Sequence, residues 1–224
     1  MNRQLALQLQ NKLKISIDSI VREEYEMVLL NSLLQSDFGS RLVFRGGTAL
    51  RLAYGSPRFS DDLDFSQIKK ITEEEFLAWA KVAVNLNPNL EVVEARKKYF
   101  TLFALFRIKD PVLAKAFSIK IEISTRGNGW EKERDYTLMN LKSDVTPLTV
   151  TAQVATIEKI KKEKQSIKPP RIKDIFDLWF IGQLLKKPTP LEFKDFSKEA
   201  VKAELHRMLA QGQRNLIEAW LQRK

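Results

Sequence analysis

Residues 43–65 read VFRGGTALRLAYGSPRFSDDLDF, and the expected fold is organised around this stretch. Val43 and Phe44 are apolar and β-favouring, and Gly46-Gly47 breaks the run, so a strand ends here in a turn. Thr48 stands where a helix N-cap belongs, ahead of the helix formers Ala49, Leu50, Leu52 and Ala53. Gly55, Ser56 and Pro57 stop that helix. Asp62-Leu63-Asp64-Phe65 then reads as a second strand. Side chains alternate along a strand, so Asp62 and Asp64 share one face and Leu63 and Phe65 the other. Two carboxylates held side by side repel each other unless a cation lies between them, and their hard oxygens suit Mg²⁺. The glycine turn at a helix start offers backbone N–H groups to phosphate. A phosphate cradle followed by a paired-Asp strand is equipment for metal-assisted phosphoryl or nucleotidyl transfer.

Composition narrows the chemistry. The 224 residues, 44% hydrophobic and 29% charged, fit a soluble globular protein with one large domain or two small ones. No apolar run is long enough to span a membrane, and the N-terminus is too polar for a signal peptide, so a cytoplasmic location is expected. Cysteine is absent, which excludes disulfides, thiolate zinc sites and cysteine nucleophiles. The one histidine, His206, falls in a C-terminal helical pattern and reads as a partly exposed helix residue. Carboxylates and lysines are left to do acid–base work. The net charge of +10, from 38 basic and 28 acidic residues, attracts polyanions, nucleic acid first among them.

Outward from the motif, residues 2–35 read as helix, with Asp18 or Ser19 capping its second part. Thr72 and Glu75 form a capping box that opens a helix to about Val84. Strands are expected at 90–95, 97–108 and 117–124, and again at 136–141. In the second, Phe100, Leu102, Ala104, Phe106 and Ile108 form one apolar set. In the third, Ile119, Ile121 and Ile123 oppose Lys120, Glu122 and Ser124. If that strand lies beside the Asp62–Asp64 strand, Glu122 becomes a third carboxylate. Otherwise it is a solvated residue pairing with Lys120 or Arg126. In the loop 126–134, Trp130 either stacks on a base or anchors a connection. Thr146-Pro147 marks the expected domain boundary, and everything from Thr151 onward reads as helix.

The string GGTAL…R-FS-DDLDFS resembles the first motif of the AbiEii/AbiGii toxin family of nucleotidyltransferases. That family includes the MenT toxins and belongs to the DNA polymerase β-like superfamily. The matching positions are Gly46, Gly47, Thr48, Arg58, Ser60, Asp62 and Asp64. A second block, IEKIKKEK…RIKDIFDLWF, resembles the family's E-K helix followed by its R/K-D…D-L helix. The resemblance implies an α+β protein: a mixed-sheet nucleotidyltransferase domain over 1–145, then an α-helical domain over 146–224, with the site between them. It implies that Asp62 and Asp64 hold Mg²⁺ or Mn²⁺, and that Glu122 is a metal ligand and general base. Gly46, Gly47, Thr48 and Ser60 would bind the triphosphate of an NTP, and Arg58 and Lys159 would neutralise it. Asp174 would be an active-site carboxylate and Asp177 a support for its helix. Read from the residues alone, Lys159 also fits a solvated face in a lysine-rich run, and Asp174 also fits a residue that stabilises its own helix.

The expected function is transfer of NMP from an NTP to RNA, most concretely the 3′ end of tRNA, by the toxin of a bacterial toxin–antitoxin pair with a cognate antitoxin. The alternatives are a same-fold transferase or kinase acting on a protein or small-molecule hydroxyl, and a basic RNA- or partner-binding module with no activity.

Overall fold

Alternation of apolar and polar residues builds the sheet that carries the motif. The strands are β1 (Leu42–Arg45), β2 (Asp62–Gln67), β3 (Leu90–Lys98), β4 (Thr101–Ile108), β5 (Phe117–Ser124), β6 (Tyr136–Leu141) and β7 (Val150–Ala155). The computed structural model describes residues 1–127 and 129–222, so residue 128 of the 126–134 loop and the last two positions of the chain lie outside the described residues. The strands form a mixed seven-stranded sheet in the order β3-β4-β5-β2-β1-β7-β6. β2 is parallel to β5 and β1 to β7, while the other neighbours are antiparallel.

One face of the sheet is the main core. Leu63 and Phe65 lie opposite Ile121 and Ile123, which in turn lie opposite Ala104 and Leu102, and all six are buried. Two helices, α2 (Ile17–Leu34) and α4 (Glu73–Asn85), join this core, with α1 (Arg3–Leu13) packed on α2. Trp79 of α4 meets the Phe106 ring edge-on at 5.6 Å and donates its indole N–H to Ser32 on α2. The expected Thr72–Glu75 capping box starts α4. The cap of α2 is Ser16, whose hydroxyl accepts from the Ser19 N–H, rather than Asp18 or Ser19. Phe100 leaves its expected apolar row because the chain turns at Tyr99-Phe100 before β4 begins, which exposes it.

The expected helix from Thr151 is corrected. Residues 150–155 form β7, which fills the edge of β1 and takes β6 on its far side. Val150, Ala152 and Val154 alternate into the core. Val154 also fits the 3–4 spacing with Ile157 and Ile160, so the helical pattern ran back into the strand. Thr156 separates the two by capping α5 (Ile157–Ser166). The sheet thus continues past the boundary expected at 145/146. The remaining helices are α3 (Gly46–Tyr54), α6 (Ile172–Leu184), α7 (Lys198–Met208) and α8 (Gln211–Leu221). The last three share a second core around Phe176, Val201, Leu205 and Ile217.

Phe65 ties the motif strand into the main core, fully buried with its ring 5.1 Å from that of Phe44. Phe65→Ala is expected to cost about 3–5 kcal/mol of stability in urea unfolding, and an unchanged midpoint would contradict this packing.

Candidate active site

The chain passes from β1 directly into α3, and two glycines make that passage possible. Gly46 has φ +82°, a left-handed value that suits glycine. A Cβ on Gly46 would stand 2.6 Å from Asp64 Oδ2, and one on Gly47 would stand 2.5 Å from Arg58 Nη2. The helix start is therefore pressed against the carboxylate strand. Thr48 does not cap α3, because that position belongs to Arg45. It is buried inside the first turn, and its hydroxyl donates to the Asp62 carbonyl at 2.5 Å. It thus staples α3 to β2 and offers no hydroxyl to a phosphate.

The parallel pairing of β2 with β5 places Asp64 opposite Glu122 and Asp62 opposite Lys120. Adjacent strands lie about 4.8 Å apart, so Glu122 shares a face with both aspartates. The other reading of Glu122 holds as well. Lys120 Nζ lies 3.0 Å from Glu122 Oε2 and 3.4 Å from Asp62 Oδ2, bridging them. Burial pushes the Asp64 carboxyl above its ordinary range. Arg45 opposes that shift, and the charges of Asp62 and Glu122 add to it. Burial works against the Lys120 ammonium, yet the carboxylates around it raise its pKa. Among the described residues no three His, Cys, Asp or Glu side chains are drawn together into a metal-holding group. The donor chemistry of Asp62, Asp64 and Glu122 nevertheless fits a hard divalent ion, and the repulsion on Asp64 is what such an ion would relieve.

The opposite wall comes from α5 and α6. The pair Glu-Lys occurs twice on α5, at 158–159 and 163–164, and it is the second pair that faces the cleft. Lys159 lies off the cleft, with its Nζ 3.4 Å from Asp135 and 4.5 Å from the centroid of the Trp130 ring. Trp130 itself packs against the main core, as an anchor of its loop. Lys164 continues the Ile157–Ile160 stripe inward and is nearly buried, 2.8 Å from Asp174 and 2.7 Å from Asp177. That stripe was the available signal for it.

Asp174 is fully buried behind the wall and does not line the cleft. Burial alone would raise its carboxyl, but Arg171, at 2.6 Å, and Lys164 hold it down at about 2. Arg58, expected on the phosphates, is 1% exposed and already committed. Its Nε and Nη2 each donate to Asp177 at 2.9 Å, and its Nη1 donates to the Phe59 carbonyl at 2.8 Å. Asp177 therefore does more than support its own helix.

Of the expected set, Gly46, Gly47, Arg58, Ser60, Asp62, Asp64 and Glu122 meet at one cleft of about 420 Å³, Arg58 with its guanidinium already paired to Asp177. Across it stand Glu163, Lys164, Arg171 and Lys173, with Arg45 and Arg126 also on the lining. Burial, then the neighbouring Arg171, lowers the Lys173 ammonium, while Asp62 opposes the shift. Among the described residues no carboxylate lies within salt-bridge reach of Lys173. The helix-spacing pattern did not single it out. A larger cavity, 640 Å³, lies between α2 and α4 on the other side of the sheet. It contains Asp37 and Glu75 but neither a glycine turn nor a cation, so size alone does not locate the chemistry.

Residues 28–220 match the AbiEii family, described as a nucleotidyl transferase toxin of type IV toxin–antitoxin systems. This chain belongs to that family. The resemblance seen in its two motifs is thus borne out, and the chain is a nucleotidyltransferase whose family implies a nucleotide substrate and a cognate antitoxin. Solved structures share the fold. One is JHP933 from Helicobacter pylori, 23% identical with TM-score 0.57, the match covering 92% of this chain and 94% of that one. Another is MenT4, a nucleotidyltransferase toxin from Mycobacterium tuberculosis, 18% identical with TM-score 0.59, covering 99% of this chain and 88% of that one. At such identities the likeness concerns the fold. No curated protein matches the chain.

Asp177→Asn should leave Arg58 without its buried counter-charge and destabilise the protein by about 3–5 kcal/mol in thermal or urea unfolding. Unchanged stability with weakened NTP binding would return Arg58 to the phosphate ligands.

Proposed function

We propose that this cleft transfers a nucleoside monophosphate from an NTP to RNA, at the 3′ end of tRNA, releasing pyrophosphate. The observation that carries the reading is the β2–β5 register, which sets Asp64 beside Glu122 next to the Gly46–Gly47 turn. The acceptor hydroxyl oxygen attacks the α-phosphorus, the bond to the pyrophosphate oxygen breaks, and the hydroxyl proton passes to the Glu122 carboxylate. The first turn of α3 has backbone N–H groups without helical partners, which receive the phosphates together with the Ser60 hydroxyl. Lys173, with the half-exposed Arg171 beside it, neutralises charge from the opposite wall, the task expected of Arg58 and Lys159, while Lys164 stays paired with Asp174 and Asp177. Lys120 holds the Glu122 side chain in place through its 3.0 Å contact. Asp62 and Asp64 would hold Mg²⁺ or Mn²⁺, which when bound supplies charge neutralisation at the phosphates and acidity at the attacking hydroxyl.

The net charge of +10 favours a polyanionic acceptor. Among the described residues no helix is long and apolar enough to cross a membrane. A cytoplasmic site of action follows from NTP and tRNA as substrates.

Asp64→Ala is expected to abolish transfer of α-labelled nucleotide to RNA while the protein stays folded, and undiminished transfer would sink the assignment. Lys173→Gln is expected to raise the KM for NTP about tenfold, the loss of one charge-assisted contact, without lowering the thermal midpoint. An unchanged KM would remove Lys173 from the phosphate site.

A further inference from the structure

In-line transfer divides the cleft into two sides. If the leaving pyrophosphate lies toward the Gly46–Gly47 turn at the end of β1, the attacking group must arrive from the other side of β2, across β5. The sheet beyond β5 continues into β4 and β3. Its registers carry one row outward from the carboxylates: Asp64 opposes Glu122, Glu122 opposes Phe103, and Phe103 opposes Arg96. Directly opposed residues project from the same face, so this row extends the floor of the cleft as a shelf. With strands about 4.8 Å apart, Arg96 lies roughly two strand spacings beyond Glu122. The neighbouring Lys98 places its ammonium 3.3 Å from the centroid of the Phe103 ring.

The shelf ends at the turn between β3 and β4, where two aromatic rings face solvent. Tyr99 is 97% exposed and has φ +43°, and Phe100 is 58% exposed. A bulky residue in the left-handed region carries a conformational cost, yet here the ring buries nothing in return. The turn is joined to the cleft. The Thr125 N–H donates to the Phe100 carbonyl at 2.8 Å, and Arg126, on the cleft lining, places its guanidinium 5.4 Å from the centroid of the Phe100 ring. Glu94 pairs with both Arg96 and Lys98, so these two cations share one carboxylate, and Arg126 beside the Phe100 ring adds a further positive charge.

We propose that the β3–β4 hairpin is the docking platform for a single-stranded RNA acceptor, with Tyr99 and Phe100 stacking on unpaired bases and Arg96, Lys98 and Arg126 tracking the backbone toward Glu122. This rests on the reading that RNA is the acceptor. Exposed rings interleaved with cations suit bases and phosphates alike, and the row runs into the side of the cleft from which an acceptor must attack.

The test uses the full chain, a fluorescent single-stranded RNA oligonucleotide and the labelled-nucleotide transfer assay. Tyr99→Ala/Phe100→Ala should raise the Kd and the KM for RNA about tenfold or more, with the KM for NTP, and kcat at saturating RNA, unchanged. Tyr99→Trp should keep wild-type affinity, and Arg96→Gln should lower the slope of log affinity against log salt by about one. RNA affinity unaltered in the double variant overturns the platform while leaving transfer to RNA standing. Wild-type protein that labels a protein and binds no RNA overturns both.

Discussion

Arg58 and Asp177 form a buried ion pair on which the geometry of the cleft depends. Arg58 sits between α3 and β2, Asp177 on α6, and two bonds of 2.9 Å join them across a separation of 119 residues. Burying either charge alone would cost several kcal/mol, which is offset only when the partner is present in good geometry. The fork of the guanidinium meets both carboxylate oxygens, the arrangement that gives most direction as well as energy. The carboxylate strand and the helical wall can therefore close on each other in one way. Gly47 lies close against the same guanidinium, so the turn, the ion pair and the wall settle together.

The pair belongs to a larger set with a consequence for chemistry. Arg58, Lys164 and Arg171 surround Asp174 and Asp177, three cations on two carboxylates. The wall behind the cleft thus keeps a positive excess, facing Asp62, Asp64 and Glu122 on the sheet. A triphosphate between them meets cations on one side, and on the other an acidic face whose own repulsion a metal ion would relieve. Neither surface suits the substrate alone. Asp174 and Asp177 act here as the counter-charges that make a nearly buried lysine tolerable, which explains why Asp174 is absent from the cleft itself.

Some of this was legible in the chain and some was not. Strand alternation is a local property with a period of two, so the shared face of Asp62 and Asp64 and the core face of Ile119, Ile121 and Ile123 could be read directly. The Thr72–Glu75 box is likewise a short-range pattern. Lys159 and Lys164 carry the same side chain on one helix, and their roles differ by direction. A stripe drawn through Ile157 and Ile160 points to Lys164, but only a packed partner for that stripe shows that it turns toward the cleft. Residues 150–155 failed for a related reason: Val154 fits both periods, and the edge of β1 decided between them. Arg58 was expected on a phosphate, but the Asp177 carboxylate competes for it on equal chemical terms, and the packing of α6 brings that carboxylate to it.

The sequence by itself determined the paired carboxylates, the glycine turn and the chemistry they permit, because those follow from neighbours a few residues apart. It determined family membership for the same reason, through two short motifs. Tertiary structure decided which residues reach the cleft. The neighbour of β2, the side of α5 that faces inward and the partner of Arg58 each depend on contacts between distant segments. Such contacts are selected by burial and charge pairing over the whole chain, and no local pattern encodes them.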